Sequence, residues 1–441
     1  MIRRLRGAAA GSEGFSAASL FAARIAGALL TTVTQIAISR LCGAAVLGDY
    51  FLLIAALNIL TMVMPLGFQS VGNYFAAEYA AGGEPGRIHA FAAKAYRHIA
   101  FVAVPMTALA ISLAVFGAVR WPAVASLALP AVIMASAMAV AFVNSSLLIG
   151  LKRPVAGLLA DAVLRPMAMI AGFLIAPWIA GNMLAGLMWV AAACYIGVVA
   201  VQTAMLKRQL RQLGGAGSTQ PETARWWRYA LPSATMALIV DFFFDIDMLL
   251  LGPLIPREEL AVFGAAVRVF ALLAFAVSAV QTVLMPDIVS AGANGDRTAL
   301  RDRIGRANAI SLAVASALTA IAIFSGPGFA LLFGPSFAAA ATPFTVLCLG
   351  LIVRCAAGPL TLILSIHERP AAGLPAGCLA LAILAASNLV MVPAFGANGA
   401  ALAALCATVL GTAALWLTAW RHTHVDVSIL PSVRQMLGRP A

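Results

Sequence analysis

RPVAGL at residues 153–158 returns as RPAAGL at residues 369–374, 216 positions further along the chain. A six-residue match in an alanine- and glycine-rich sequence carries little weight alone, but its surroundings repeat as well. LGDYFLLIAAL (47–57) is answered by VFGAAVRVFAL (262–272), and the basic stretch GEPGRIHAFAAKAYR (83–97) by GANGDRTALRDRIGR (292–306), in the same order and at a similar distance. The chain therefore reads as two copies of one half. The polar segment KRQLRQLGGAGSTQPETARWWR (207–228) joins them.

Composition says what each half is made of. The 441 residues are 63% hydrophobic and only 10% charged, with a mean hydropathy of +0.98. That is more apolar surface than a soluble core could hide, so the chain reads as an all-α, polytopic membrane protein. A crossing needs roughly 17 to 25 apolar residues. Glycine, proline and charge divide the sequence into twelve such segments: 15–40, 49–78, 95–117, 122–149, 154–177, 182–206, 229–253, 258–286, 303–325, 336–366, 371–394 and 398–420. Six crossings per half is an even number, so both halves enter from the same side as parallel repeats about an axis along the membrane normal. The expected organisation is an N-terminal lobe (1–206), a cytoplasmic linker (207–228), a C-terminal lobe (229–420) and a cytoplasmic tail (421–441). The apolar stretch from about Phe15 to Ile38 exceeds a signal-peptide core of about 7 to 15 residues, so it is expected to remain as the first crossing.

Basic residues set the orientation, because they are retained in cytoplasmic loops. Twenty-one of the 28 fall at the termini and in alternate loops on one side, and only Arg40, Arg120 and Arg257 fall on the other. Both termini are thus expected in the cytoplasm, and the net charge of +12 reads as a topology signal and an attraction to acidic membrane lipids rather than to nucleic acid. Four arginines remain inside crossings: Arg24, Arg165, Arg268 and Arg354. The six cysteines have no CxxC spacing and the five histidines form no HExxH pair, so no metal centre or disulfide framework is indicated.

Charge inside the bilayer is costly and faces a protein interior or a wet cavity. Helical spacing aligns Arg24, Thr31 and Gln35 on the first helix, and Asn58, Thr61, Pro65 and Gln69 on the second. Pro65 is a candidate kink. On the seventh, IVDFFFDIDMLLLG (239–252) aligns Asp241 with Asp245, and the eighth supplies Arg268. Two carboxylates one turn apart resist simultaneous ionisation and are expected to share a proton, a sodium ion or an arginine. Arg24, Arg268, Arg354, Gln35, Asn58 and Gln69 are therefore the candidate substrate-binding residues, with Asp241 and Asp245 as ion-coupling candidates. A guanidinium cluster suits phosphate. Asp161 and Arg165, four apart with the acid first, read as a local ion pair, and Asp247 as a residue reaching outward to solvent.

Four stretches carry a family resemblance: AISRLCGAAVLGDYFLLIAALNIL (37–60), DIDMLLLGPLIPREELAVFGAAVRV (245–269), LLFGPSFAAAATPFTVLCLG (331–350) and PAFGANGAALAA (393–404). The first two resemble a helix, glycine elbow, helix signature, the last two an FG-x-x-F and FG-x-x-GAA pattern. Together they resemble the polysaccharide-transporter branch, the Wzx-like O-antigen flippases, of the multidrug, oligosaccharidyl-lipid and polysaccharide (MOP) flippase superfamily. The resemblance implies a MATE-like V-shaped pair of six-helix bundles working by alternating access in the bacterial inner membrane. It also implies a substrate, an undecaprenyl-diphosphate-linked oligosaccharide of O-antigen or exopolysaccharide type, with proton or sodium coupling and no other cofactor. Polysaccharide polymerase and assembly proteins are the partners it implies. Lipid II flippases share the plan with typically fourteen helices, and the extra pair is lacking here. Two rival readings differ in class. One is a cation-coupled multidrug antiporter, disfavoured by four intramembrane arginines. The other is a polysaccharide polymerase or ligase, disfavoured by external connections of about a dozen residues or fewer and by the lack of a nucleophile or metal motif.

Overall fold

The computed structural model describes residues 2–116, 122–179, 181–213, 221–293, 297–367, 369–423 and 426–429. The middle of the expected linker and most of the expected tail lie outside them. Among the described residues the secondary structure is helical throughout, as a chain in lipid must be when every backbone group needs an internal partner. Ten helices among the described residues are long and apolar enough to cross a membrane. One of these holds two expected crossings: Leu374–Thr423 bends at Gly396, whose φ of 55° suits glycine. The seventh expected crossing falls outside the ten because it is broken, into Thr223–Val240 and Phe243–Leu251. The second is broken as well, into Ala44–Val63 and Phe68–Ala81. Pro65 sits in that break, and Leu66 and Gly67 take left-handed φ values of 53° and 87°.

The chain forms two compact units, each built from two segments: Met1–Ile38 with Leu53–Leu238, and Ser39–Leu52 with Ile239–Ala441. The expected glycine elbow, where Gly43 has φ 90°, therefore belongs to the second unit, and the helices before and after it are each divided between the units, at Ile38 and Leu53.

In the first unit, the Pro122–Gly150 and Met183–Leu213 helices share a polar seam. Fully buried Asn144 accepts from the Tyr96 hydroxyl and donates to Thr203 Oγ1 at 2.9 Å, and Gln202 donates to Ser145 Oγ at 2.9 Å. Such bonds hold helices together where hydrophobicity cannot distinguish protein from lipid. A charged clamp fixes the start of the Thr223–Val240 helix. Glu222 accepts from Tyr79 Oη (2.8 Å), Arg87 Nη1 (2.6 Å) and Arg225 Nη1 (2.9 Å), while Arg225 forks onto both oxygens of Glu78 at 2.7 and 2.8 Å. Buried Trp226 donates from Nε1 to Tyr79 Oη at 2.8 Å.

The clamp has a pH signature. The Arg225 guanidinium, then the Tyr79 hydroxyl, hold the Glu222 carboxyl below its ordinary value. A group depressed on folding contributes stability that is complete above its unfolded pKa and is lost as pH falls through the folded one. Thermal melts of the purified protein are expected to show wild-type stability falling below about pH 4.5. Glu222→Gln, less stable by about 1 to 3 kcal/mol at neutral pH because charge-assisted bonds are lost, should lack that share of the decline.

In the second unit, the short Ser39–Leu52 segment is held by its ends. Ser39 Oγ donates to Phe333 O at 2.6 Å, and Arg40 donates to the carbonyls of Leu332 (3.0 Å), Ala330 (3.1 Å) and Leu331. These carbonyls close the C-terminal end of the Gly326–Phe333 helix, where a cation is favoured; Ala330 O also accepts the Gly334 N–H at 3.1 Å. Asp49 pairs with Arg257 Nε at 2.9 Å. Glu259 accepts the Ala397 N–H at 3.3 Å, just past the Gly396 bend.

Candidate functional site

In the second unit, Arg354 lines a cavity of about 230 Å³ with Ser278, Gln281, Asn308 and Ser311, against apolar walls that include Val277 and Leu351. Among the described residues no acidic side chain lines it. Ser311 is buried and its hydroxyl has no hydrogen-bond partner. Residues 426–429 pack beside the cavity: Asn308 Nδ2 donates to Val427 O at 2.8 Å and Ile429 N to Ala356 O at 2.9 Å. Arg354 itself is exposed, so its charge is free to meet an anion there.

Arg268 lies on the Arg257–Ala293 helix, which also supplies Ser278 and Gln281, its guanidinium carbon 5.8 Å from the centroid of the buried Phe51 ring. Gly264 makes room for that ring, since a Cβ there would come within 2.2 Å of it. The Arg268 Nε–H is buried and has no acceptor. An unmatched buried donor on a half-buried cation is costly, and an anion would satisfy it.

The aspartate run departs from the expected geometry. Asp241 is exposed in the turn that separates Thr223–Val240 from Phe243–Leu251, so it shares no continuous helix face with half-buried Asp245. The buried carboxylate is Asp247, with 0% exposure, where the sequence suggested a residue reaching outward to solvent. Its Oδ1 accepts from Asn388 Nδ2 at 2.7 Å. Asp247 Oδ2 and Asn388 Oδ1 have no hydrogen-bond partners. Two acceptors left over at one buried place suit a proton or a small cation. The missed signal was Asn388 itself, an amide in an apolar run whose partner is far away in sequence.

The remaining candidates belong to the first unit. Arg24 is exposed. Gln35 is 1% exposed with its Oε1 unpartnered. Gln69 is committed locally, donating from Nε2 to Met62 O at 3.0 Å and thereby stapling the break at Pro65. Asn58 accepts from Arg165 Nη1 at 3.2 Å, and Arg165 Nε pairs with Asp161 at 3.1 Å, the local pair the sequence suggested. Asp161 lies within a single π-turn, Ala160–Leu164, and Arg165 follows directly after it. The first helix crosses this turn at Gly27, where a Cβ would fall 1.6 Å from Ala162 O. Arg24, Gln35, Asn58 and Gln69 thus sit in one unit, and Arg268, Arg354, Asp241 and Asp245 in the other.

No family model matches the sequence, and no curated protein matches it. Solved structures do. The lipid II flippase MurJ in an inward closed conformation aligns with a TM-score of 0.73 at 12% identity, over 95% of this chain and 91% of that one. An inward-facing multidrug-resistance MATE family transporter of the MOP superfamily aligns at 0.70 and 14% identity, over 90% and 94%. A MOP superfamily transporter from Pyrococcus furiosus, described as having a binding pocket of reverse polarity, aligns at 0.61 and 15% identity, over 90% and 92%. At such identities the likeness is one of fold: this chain is a multi-pass, all-helical protein with the MurJ- and MATE-like fold of the MOP superfamily.

Proposed function

We propose that this protein flips a polyprenyl-diphosphate-linked oligosaccharide, an O-antigen or exopolysaccharide repeat unit, across the bacterial inner membrane by alternating access. In this reading both termini are cytoplasmic, and polysaccharide polymerase and assembly proteins receive the product. One observation carries it: the intramembrane cations are in surplus. Arg165 is matched by Asp161, but Arg268 keeps a buried N–H without an acceptor and Arg354 opens into a cavity with no carboxylate among its described lining residues. A lipid diphosphate is an anion that a guanidinium fork would grip. The solved relative named for lipid II flipping supports the substrate class.

Moving an anion outward against an inside-negative potential releases about 2.3 kcal/mol per charge per 100 mV. A returning proton or sodium ion at Asp247 and Asn388 adds to that drive. The same buried pair is what favours the second reading, a cation-coupled multidrug antiporter. Proteoliposomes holding a fluorescent undecaprenyl-diphosphate oligosaccharide separate the two. The expected result is protein-dependent flipping of the lipid without efflux of a cationic dye, and dye efflux with no lipid flipping would replace the flippase by the antiporter.

A further inference from the structure

A second cavity, of about 630 Å³, lies in the first unit between the Pro122–Gly150, Pro154–Leu159 and Met183–Leu213 helices. Lys152, Arg153 and Arg208 line it, with Gln209 and Gln212 beside them and no acidic residue among those described. Its apolar wall is open: Val155, Leu159 and Met205 are 46%, 40% and 43% exposed. The position is where one crossing ends at Gly150 and the next begins at Pro154, which is the level of the membrane surface. None of the ion pairs among the described residues involves these three cations.

Charge bias alone would place cations at such a loop. It does not account for the backbone of Lys152. Its N–H bonds to Ile149 O at 3.0 Å and the Arg153 N–H to Leu148 O at 2.9 Å, the paired bonds of a Schellman helix end. That motif puts Lys152 at the left-handed position, φ 58°, which glycine usually fills because a Cβ there is strained. Strain held at an exposed cation points towards a use for the charge. The internal repeat adds an independent contrast, because KRPVAGL (152–158) corresponds to ERPAAGL (368–374), with glutamate in place of the lysine. In the second copy Arg369 lies 3.1 Å from His422 Nδ1. The Arg369 N–H bonds to Leu364 O at 2.8 Å, as the Arg153 N–H does to Leu148 O, while the lysine belongs to the first copy.

The geometry points to a binding site for the phosphate headgroup of an anionic phospholipid, gripped by Lys152, Arg153 and Arg208 while an acyl chain follows the Val155, Leu159 and Met205 wall. The full-length protein in detergent micelles, titrated with phosphatidylglycerol, phosphatidylcholine or inorganic phosphate and followed by melting temperature, tests this. Phosphatidylglycerol is expected to raise the wild-type melting temperature saturably, and the other two are not. Lys152→Gly should raise the lipid-free melting temperature, because it relieves the left-handed lysine, yet weaken phosphatidylglycerol about fivefold. Adding Arg153→Gln and Arg208→Gln should bring the loss to about a hundredfold. Arg306→Gln with Arg421→Gln, equally exposed cations elsewhere, should leave the titration unchanged. Three results would each overturn the site: a control pair as damaging as the triple, inorganic phosphate as effective as the lipid, or Lys152→Gly with an unaltered lipid titration. Should the triple not fold, Lys152→Gly alone decides.

Discussion

Arg268→Ala is expected to lower flipping of the lipid-linked oligosaccharide by about ten- to a hundredfold at matched amounts of folded protein, the range of one lost charge-assisted hydrogen bond. The Arg268 Nε–H has no acceptor of its own, so removing the side chain breaks no internal ion pair. What it forfeits inside the protein is the contact with Phe51. Arg268→Lys separates charge from shape: an ammonium keeps the charge but lacks the planar fork, so recovery should be partial. Arg165→Ala is the opposite case. It strands Asp161 and removes a donor from Asn58, so melting temperature should fall more than flipping per folded molecule. Equal flipping by wild type and Arg268→Ala in proteoliposomes would make Arg268 structural and remove half the basis of the substrate assignment. Arg354→Ala tests the other half in the same assay.

The four stretches that resemble a flippase family turn out to be where the chain bends and where helix ends are tied. Gly43, Gly334 and Gly396 all take left-handed φ values, 90°, 122° and 55°. Ser39 and Arg40 cap the helix that ends at Phe333, and Glu259 holds the chain beyond Gly396. Bends need particular residues at fixed local spacing, so they are visible in a single sequence. The expected crossings follow for the same reason, since hydropathy and punctuation are local properties. Which carboxylate is buried is not local. Counting four residues from Asp241 to Asp245 presumes an unbroken helix, and the turn at Asp241 and Phe242 rotates everything after it, bringing Asp247 against Asn388. Pro65 marked the break in the second helix, but no proline stands at this one. Arg354 was legible because a guanidinium in an apolar run demands a cavity wherever it points.

Asp247→Asn is expected to abolish the response of transport to proton and sodium gradients while leaving the protein folded. Asparagine has nearly the shape of aspartate, and its carbonyl can still accept the Asn388 Nδ2–H at the same place, so the buried hydrogen bond survives and only the charge is lost. Asp247→Ala does more damage, because it strands the Asn388 amide in a buried place and should cost about 1 to 3 kcal/mol of stability. The gradient is where the functional effect is large. One coupled charge moving through 100 mV is worth about 2.3 kcal/mol, close to a fiftyfold ratio of substrate between leaflets at steady state. Proteoliposomes with an imposed sodium or proton gradient, read as the final inner-to-outer ratio of the fluorescent lipid, should show that factor in wild type and not in Asp247→Asn. Asp241→Asn, at an exposed turn, should keep it. If instead Asp247→Asn retains the ratio and Asp241→Asn loses it, the exposed carboxylate carries the ion and the Asp247–Asn388 pair serves only to hold the Phe243–Leu251 helix in place.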